Sequence, residues 1–98
     1  MVSRSDIKDI VIFKYLNDEM IAKLLPEMEL LRFGEGEMIF RSGETADMFY
    51  SLKRGKILLE QRVLEKVTIS VGSVKPGYSF GWSALLGDQK FTVDTVCG

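Results

Sequence analysis

Glycines recur at short intervals from position 34 to position 87, and the apolar pattern between them has a period of two. These glycines are Gly34, Gly36, Gly43, Gly55, Gly72, Gly77, Gly81 and Gly87. Short strands joined by tight turns produce such a pattern, because strands alternate their faces and many tight turns need a residue with positive φ. The stretch Val67 to Val71 alternates apolar and hydroxyl side chains, as a half-buried strand does. The sequence therefore predicts a mainly antiparallel barrel or roll over about residues 29–97.

Two turns in this region carry specific signals. The tripeptide at residues 53–55, Lys-Arg-Gly, separates two alternating segments and is predicted to be the turn of a hairpin that pairs them. Pro76-Gly77 is the pair favoured at the centre of a type II turn.

The first 28 residues have a helical period instead. Ser5 is predicted to cap a first helix, and Asn17 to cap a second one whose apolar stripe runs from Met20 to Leu25. Pro26 is predicted to end or kink the second helix. We therefore expect a helical segment over about residues 5–28 in front of the strands.

Composition limits the setting of the chain. With 98 residues, 46% of them apolar, the sequence has the composition of one small globular domain. The longest apolar run, residues 10–13, is far shorter than the roughly 20 residues of a spanning helix, so no membrane contact is expected. The start lacks the pattern of a secretory signal, and the single Cys97 cannot form an internal disulfide, so a cytoplasmic location is expected.

Charge and residue types also limit the chemistry. A net charge of −1 does not provide the basic footprint of a nucleic-acid surface, so no nucleic-acid contact is expected from this domain. The sequence has no histidine and one cysteine, so a transition-metal site lacks its usual ligands. Ser83 has no histidine to activate it as a nucleophile. We therefore predict a protein that is not an enzyme.

Two segments, FGEGEMIFRSGETADMFYSLKRGKILL and VKPGYSFGWSALL, resemble the cyclic nucleotide-binding domain family. This family is the regulatory jelly roll of catabolite-activator-type regulators, cyclic-nucleotide-dependent kinases and gated channels. The resemblance covers roughly residues 13–97 and rests on the series of regularly spaced glycines rather than on one motif. It implies a mainly β, antiparallel jelly roll (double-stranded β-helix) with N-terminal helices and one short helical turn, forming a single regulatory, ligand-sensing domain over residues 1–98.

In the family, the segment that begins at Phe80-Gly81 is a cassette that holds the cyclic phosphate and ribose of the nucleotide. Gly81 is expected to allow a close approach by the ligand, and Ser83 to add a hydroxyl group. A helix that starts here presents free N–H groups, so the amides of Ser83 and Ala84 are expected to point toward an anion.

The cassette departs from the family at its two charged positions. The family has Glu directly after Phe-Gly, where it binds the ribose, and Trp82 stands there in this chain. The family Arg, which pairs with the phosphate, falls on Phe91 without gaps or on Lys90 if the register slips by one residue. Trp82 and Phe91 are expected to pack against each other and fill or close the pocket. The candidate ligand-binding residues are Phe80, Gly81, Trp82, Ser83, Ala84, Lys90, Phe91 and Thr92.

These departures predict that cyclic AMP or cyclic GMP binds weakly or not at all, because each lost charged contact is worth about 1.5–3 kcal/mol. The predicted ligand is a small anion or nucleotide, and the alternative is a binding-incompetent interaction or dimerisation module. In the family, a lid helix normally follows the roll, whereas this chain stops at Cys97-Gly98. We therefore expect exposed apolar surface that is covered by a second copy or a partner domain. In the ungapped register, replacing Trp82 by Glu and Phe91 by Arg together is predicted to increase nucleotide affinity.

Overall fold

A computed structural model describes residues 2–87 and 89–98. The N-terminal part of this described chain contains α1 (Arg4–Ile7), a 3-10 helix (Val11–Tyr15), α2 (Asp18–Leu24) and a second 3-10 helix (Leu25–Glu27). The remainder contains β1 (Met38–Phe40), β2 (Tyr50–Ser51), β3 (Ile57–Leu64), β4 (Val67–Val74), β5 (Ser79–Phe80), a 3-10 helix (Trp82–Leu86) and β6 (Asp94–Cys97).

The strands form two antiparallel sheets. One sheet has the order β1-β6-β3-β4, and the other pairs β2 with β5. An isolated bridge between Thr45 and Lys90 ties two further segments together. The predicted mainly antiparallel roll, with helices in front of it and one short helical turn after β5, is confirmed.

The core of the roll is built around stacked aromatic rings. The buried side chains of this cluster are Phe40, Ala46, Leu52, Ile57, Val74, Phe80 and Phe91. The rings of Phe40 and Phe91 stack with centroids 3.6 Å apart, and those of Tyr50 and Phe80 stack at 5.1 Å. These rings fill the space between the two sheets, because each aromatic ring buries a large apolar area.

The N-terminal segment has a separate apolar cluster centred on Val2, Ile7 and Ile10. Its attachment to the roll runs through the turn at Pro76-Gly77, since the Val11 amide donates to the Gly77 carbonyl at 2.7 Å. Gly77 has φ +94° at the third position of this turn, which agrees with the predicted type II geometry.

The predicted helix ends are partly confirmed. The Asn17 side chain accepts a hydrogen bond from the Met20 amide at 2.9 Å, as an N-cap does, and α2 ends two residues before Pro26. The cap of α1, however, is Ser3 and not Ser5. Asp6, three residues after Ser3, accepts a hydrogen bond from the Ser3 backbone amide at 2.8 Å, and this reciprocal contact fixes the start of the helix.

The hairpin predicted at residues 53–55 is wrong. Gly55 does turn the chain, with φ +92°, but β2 before it pairs with β5, and β3 after it pairs with β4. The hairpin lies instead at Glu65-Lys66, between β3 and β4. The first strand also begins only at Met38, since residues 29–37 form no strand.

Candidate functional site

Gly81 makes the turn between β5 and the 3-10 helix that follows. Its φ is +78°, in the left-handed region that glycine adopts at low cost. A Cβ atom at this position would lie 3.1 Å from Cδ2 of Tyr50 and 3.4 Å from the carbonyl oxygen of Met48. Glycine is therefore required here by the backbone conformation and by packing against the protein itself, in addition to the approach of a ligand that the sequence suggested.

The amides of this turn are used differently from the prediction. The Ala84 amide donates to the Gly81 carbonyl at 3.1 Å, so the turn itself consumes it. The amides of Trp82 and Ser83 precede that first internal bond of the 3-10 helix, and they have no acceptor within residues 2–87 and 89–98. The backbone thus offers Trp82 and Ser83, rather than Ser83 and Ala84, to an anion.

The predicted contact between Trp82 and Phe91 is wrong. Trp82 is 54% exposed and meets Phe49 edge to face, with centroids 4.7 Å apart. Phe91 is only 5% exposed and stacks on Phe40 inside the roll. The two aromatic side chains therefore belong to opposite environments, and Phe91, like Phe80, lies in the core beneath the cassette.

The orientation of Phe91 follows from the pairing of its segment. The Phe91 amide donates to the Glu44 carbonyl at 2.9 Å, and the Ala46 amide donates to the Gln89 carbonyl at 3.0 Å. Side chains alternate along such an extended segment, so Phe91 points inward while Lys90 on one side of it is exposed. Thr92 on the other side is exposed as well.

This alternation bears on the two registers for the family arginine. A guanidinium at position 91 would replace a ring in the apolar core, where an unpaired charge is strongly unfavourable. Lys90 carries its charge on the exposed side, one residue from the ring that contacts Gly81. Lys90 is also the only cationic residue in the sequence from 77 to 98.

Acidic residues lie near the same site. The pKa of Tyr50 is raised, mainly by burial and further by the charges of Asp47 and Glu44. Tyr50 therefore remains a neutral phenol at physiological pH. The neighbouring carboxylates reduce the attraction of this site for a phosphate.

A cleft of about 910 Å³, which sequence reasoning missed, lies between the N-terminal segment and the roll. Its lining is mostly apolar and includes Ile10, Phe13, Leu31, Ile39 and Leu85. The only sequence signal for it was the apolar run near Leu31 outside the strand pattern, in the stretch 29–37.

Residues 2–87 and 89–98 contain no cluster of three or more potential metal ligands. Among the helices formed by these residues, none has both the length and the apolarity to cross a membrane.

The sequence model of the cyclic nucleotide-binding domain matches residues 30–97, which include the whole cassette. The chain belongs to this family. It is 30% identical over 86 residues to the cGMP-dependent protein kinase egl-4 of Caenorhabditis briggsae, an alignment that covers 87% of this chain and 12% of the kinase. The chain thus spans about an eighth of the length of that relative.

Solved structures agree with this membership. A proposed cyclic nucleotide-binding protein from Geobacter metallireducens matches at a TM-score of 0.85 and 27% identity, over 99% of this chain and 69% of that one. The regulatory subunit of a cAMP-independent protein kinase A from Trypanosoma brucei matches at a TM-score of 0.84 and 19% identity, over 95% of this chain and 34% of that one. At 19% identity, the match to the Trypanosoma brucei subunit shows a shared fold.

Proposed function

We propose that this chain is a regulatory, ligand-sensing domain whose cassette has kept the family's turn but has lost its two charged contacts. The observation that carries the proposal is the environment of position 82. Trp82, where the family has Glu, is held against Phe49 and offers no carboxylate to a ribose. Cyclic AMP and cyclic GMP are accordingly expected to bind weakly or not at all, and the domain itself to have no catalytic role.

Two features support a residual affinity for an anion. The amides of Trp82 and Ser83 have no acceptor among the described residues, and the exposed Lys90 is the one cationic residue in the sequence from 77 to 98. Lysine is a weaker partner for phosphate than arginine, because it is a point charge on a flexible stem rather than a planar fork. The ligand class that fits is a small anion or nucleotide held mainly through its phosphate.

Calorimetry with cyclic AMP and cyclic GMP tests the proposal on four proteins: the unmodified chain, Trp82→Glu, Lys90→Arg and the double variant. The charged contact that Trp82→Glu restores is worth about 1.5–3 kcal/mol, which corresponds to roughly 10- to 100-fold in affinity. Lys90→Arg keeps the charge and adds the planar fork, so its gain should be smaller. The double variant should therefore bind more tightly than either single one. Trp82→Gln is the matched control, since it removes the same ring without adding a charge.

The result that would overturn the proposal is tight binding by the unmodified chain. Phe91→Arg, which the ungapped register had suggested, is instead expected to lower stability, because Phe91 is stacked in the core. If Phe91→Arg leaves stability intact and increases affinity, position 91 and not position 90 is the place of the family arginine.

A second candidate function, an interaction module, is favoured by one observation on the β3–β4 hairpin. The far end of the β3–β4 hairpin carries five apolar side chains that are between 43% and 67% exposed. These residues are Val63, Leu64, Val67, Ile69 and Val71. Such a patch is typical of a surface that a partner covers.

A further inference from the structure

We propose that two copies of this chain join through β4, antiparallel and about a two-fold axis at Ile69. This inference rests on the second candidate function and is independent of nucleotide binding. β4 is the last strand of its sheet and is paired only with β3 within residues 2–87 and 89–98. Its outer side therefore has backbone donors and acceptors available to a further strand.

β4 lacks the usual protection of an exposed edge. Its eight residues, VTISVGSV, contain no charged residue and no proline. Proteins ordinarily guard such edges with lysine, proline, short length or a bulge. The one guard present is a bulge at Val71, where Leu59 pairs with Gly72 but Glu60 pairs with Ser70.

Two residues of the apolar patch, Val67 and Ile69, lie on the face that continues the core. Ile57 of β3 belongs to the core cluster and Leu59 packs against it. Gln61, two residues further, lies on the same face by alternation. Gln61 pairs with Ile69, so Ile69 and Val67 extend this face beyond the packed part of the roll. Ile69 is 44% exposed there. Pairing with a second strand would cover its flank.

A second copy is the occupant that this strand fits, because the pairing is self-complementary. In an antiparallel pair related by a two-fold axis, opposite residues must lie on the same face of the sheet. The axis therefore passes between the two copies of one residue, which face each other. An axis at Ser70 would set Lys66 opposite Lys75 twice once the bulge is skipped, and like charges in opposite positions are unfavourable. An axis at Ile69 avoids this contact and sets Thr68 opposite Ser70 twice.

Disulfide crosslinking tests the location of the axis. In a Cys97→Ser background, Ile69→Cys should form a covalent dimer on oxidation, since opposite Cβ atoms in such a pair are about 4.5–5.5 Å apart. Val67→Cys is the matched control on the same face. It should crosslink far less, because two residues from the axis its own copies are displaced by roughly 13 Å along the strands.

Light scattering and sedimentation test the dimer itself. The unmodified chain should show concentration-dependent dimerisation, and Ile69→Lys should weaken the dimer about tenfold or more by placing two charges at the axis. Tyr15→Lys, at an exposed position on the N-terminal segment, should leave the dimer unchanged. A strictly monomeric chain, or equal crosslinking at positions 67 and 69, overturns the proposal. Neither outcome depends on the nucleotide titration.

Discussion

Gly77 and Gly55 allow the cost of a positive φ to be separated from the cost of a steric clash. Both have nearly the same positive φ, +94° and +92°, so an alanine at either site meets the same backbone penalty of about 1–2 kcal/mol. They differ in their surroundings. A Cβ at Gly77 would lie 2.8 Å from the carbonyl oxygen of Asp9, whereas a Cβ at Gly55 would meet no atom within 4 Å.

The contact at Gly77 is costly because neither partner can move freely. The atom in the way belongs to the backbone, and the Gly77 carbonyl also accepts the hydrogen bond from the Val11 amide. Overpacking of this kind costs about 1–3 kcal/mol. We therefore expect Gly77→Ala to lose about 2–5 kcal/mol in the free energy of unfolding, against about 1–2 kcal/mol for Gly55→Ala.

Chemical denaturation followed by far-ultraviolet circular dichroism measures both losses. Hydrogen exchange adds a local readout, because Gly77→Ala should speed exchange of the Val11 amide more than that of the β3–β4 amides. Equal losses of stability in the two variants would refute the reasoning that the turn at Gly77 holds the N-terminal segment.

Two further predictions concern single polar groups. The Thr95 hydroxyl is fully buried and has no hydrogen-bond partner among the described residues. Thr95→Val should therefore raise the free energy of unfolding by about 1–2 kcal/mol. Thr92 is exposed, so Thr92→Val should change the free energy of unfolding little. The pKa of Asp6 is lowered, chiefly by the hydrogen bond that Lys53 donates to its carboxylate. The ionised Asp6 therefore stabilises the fold above its ordinary pKa of 3.8, and this stabilisation is lost as the pH falls toward the depressed pKa. Thermal melts in acid should therefore show a shallower loss of stability with falling pH for Asp6→Asn, and an unchanged slope would contradict this assignment.

Local signals in the sequence predicted much of the local structure, although the cap of α1 is Ser3 and not Ser5. Asn17 caps α2 and the Pro76-Gly77 turn forms where expected, because each depends on side-chain or backbone chemistry within four residues. The hairpin at residues 53–55 failed because strand pairing is decided by distant partners, here β5 for β2. The true hairpin turn, Glu65-Lys66, contains no glycine, proline or asparagine to announce it.

In the candidate site, too, local features could be predicted and the contacts of distant residues could not. The helical turn at Trp82–Leu86 was predicted from the motif, whereas Gly81 was predicted to admit a ligand and its left-handed φ was not predicted. The separation of Trp82 from Phe91 could not be predicted, because it depends on which face of a paired segment points into the roll. The polar residues on either side of Phe91 were the hint that the sequence offered, since alternation with polar neighbours marks an inward side chain.

In our proposal, the cassette keeps its turn but lacks the charges that hold a cyclic nucleotide. A titration of the isotope-labelled chain with cyclic GMP, followed through the backbone amides of Trp82, Ser83 and Lys90 by NMR, tests it most directly. Loss of two charged contacts removes about 3–6 kcal/mol, which weakens a micromolar affinity by roughly two to four orders of magnitude, to about 0.1 mM or weaker. We expect small, fast-exchange shifts at these amides that do not saturate at about 0.1 mM nucleotide. Saturation with slow exchange at about micromolar nucleotide would contradict the account.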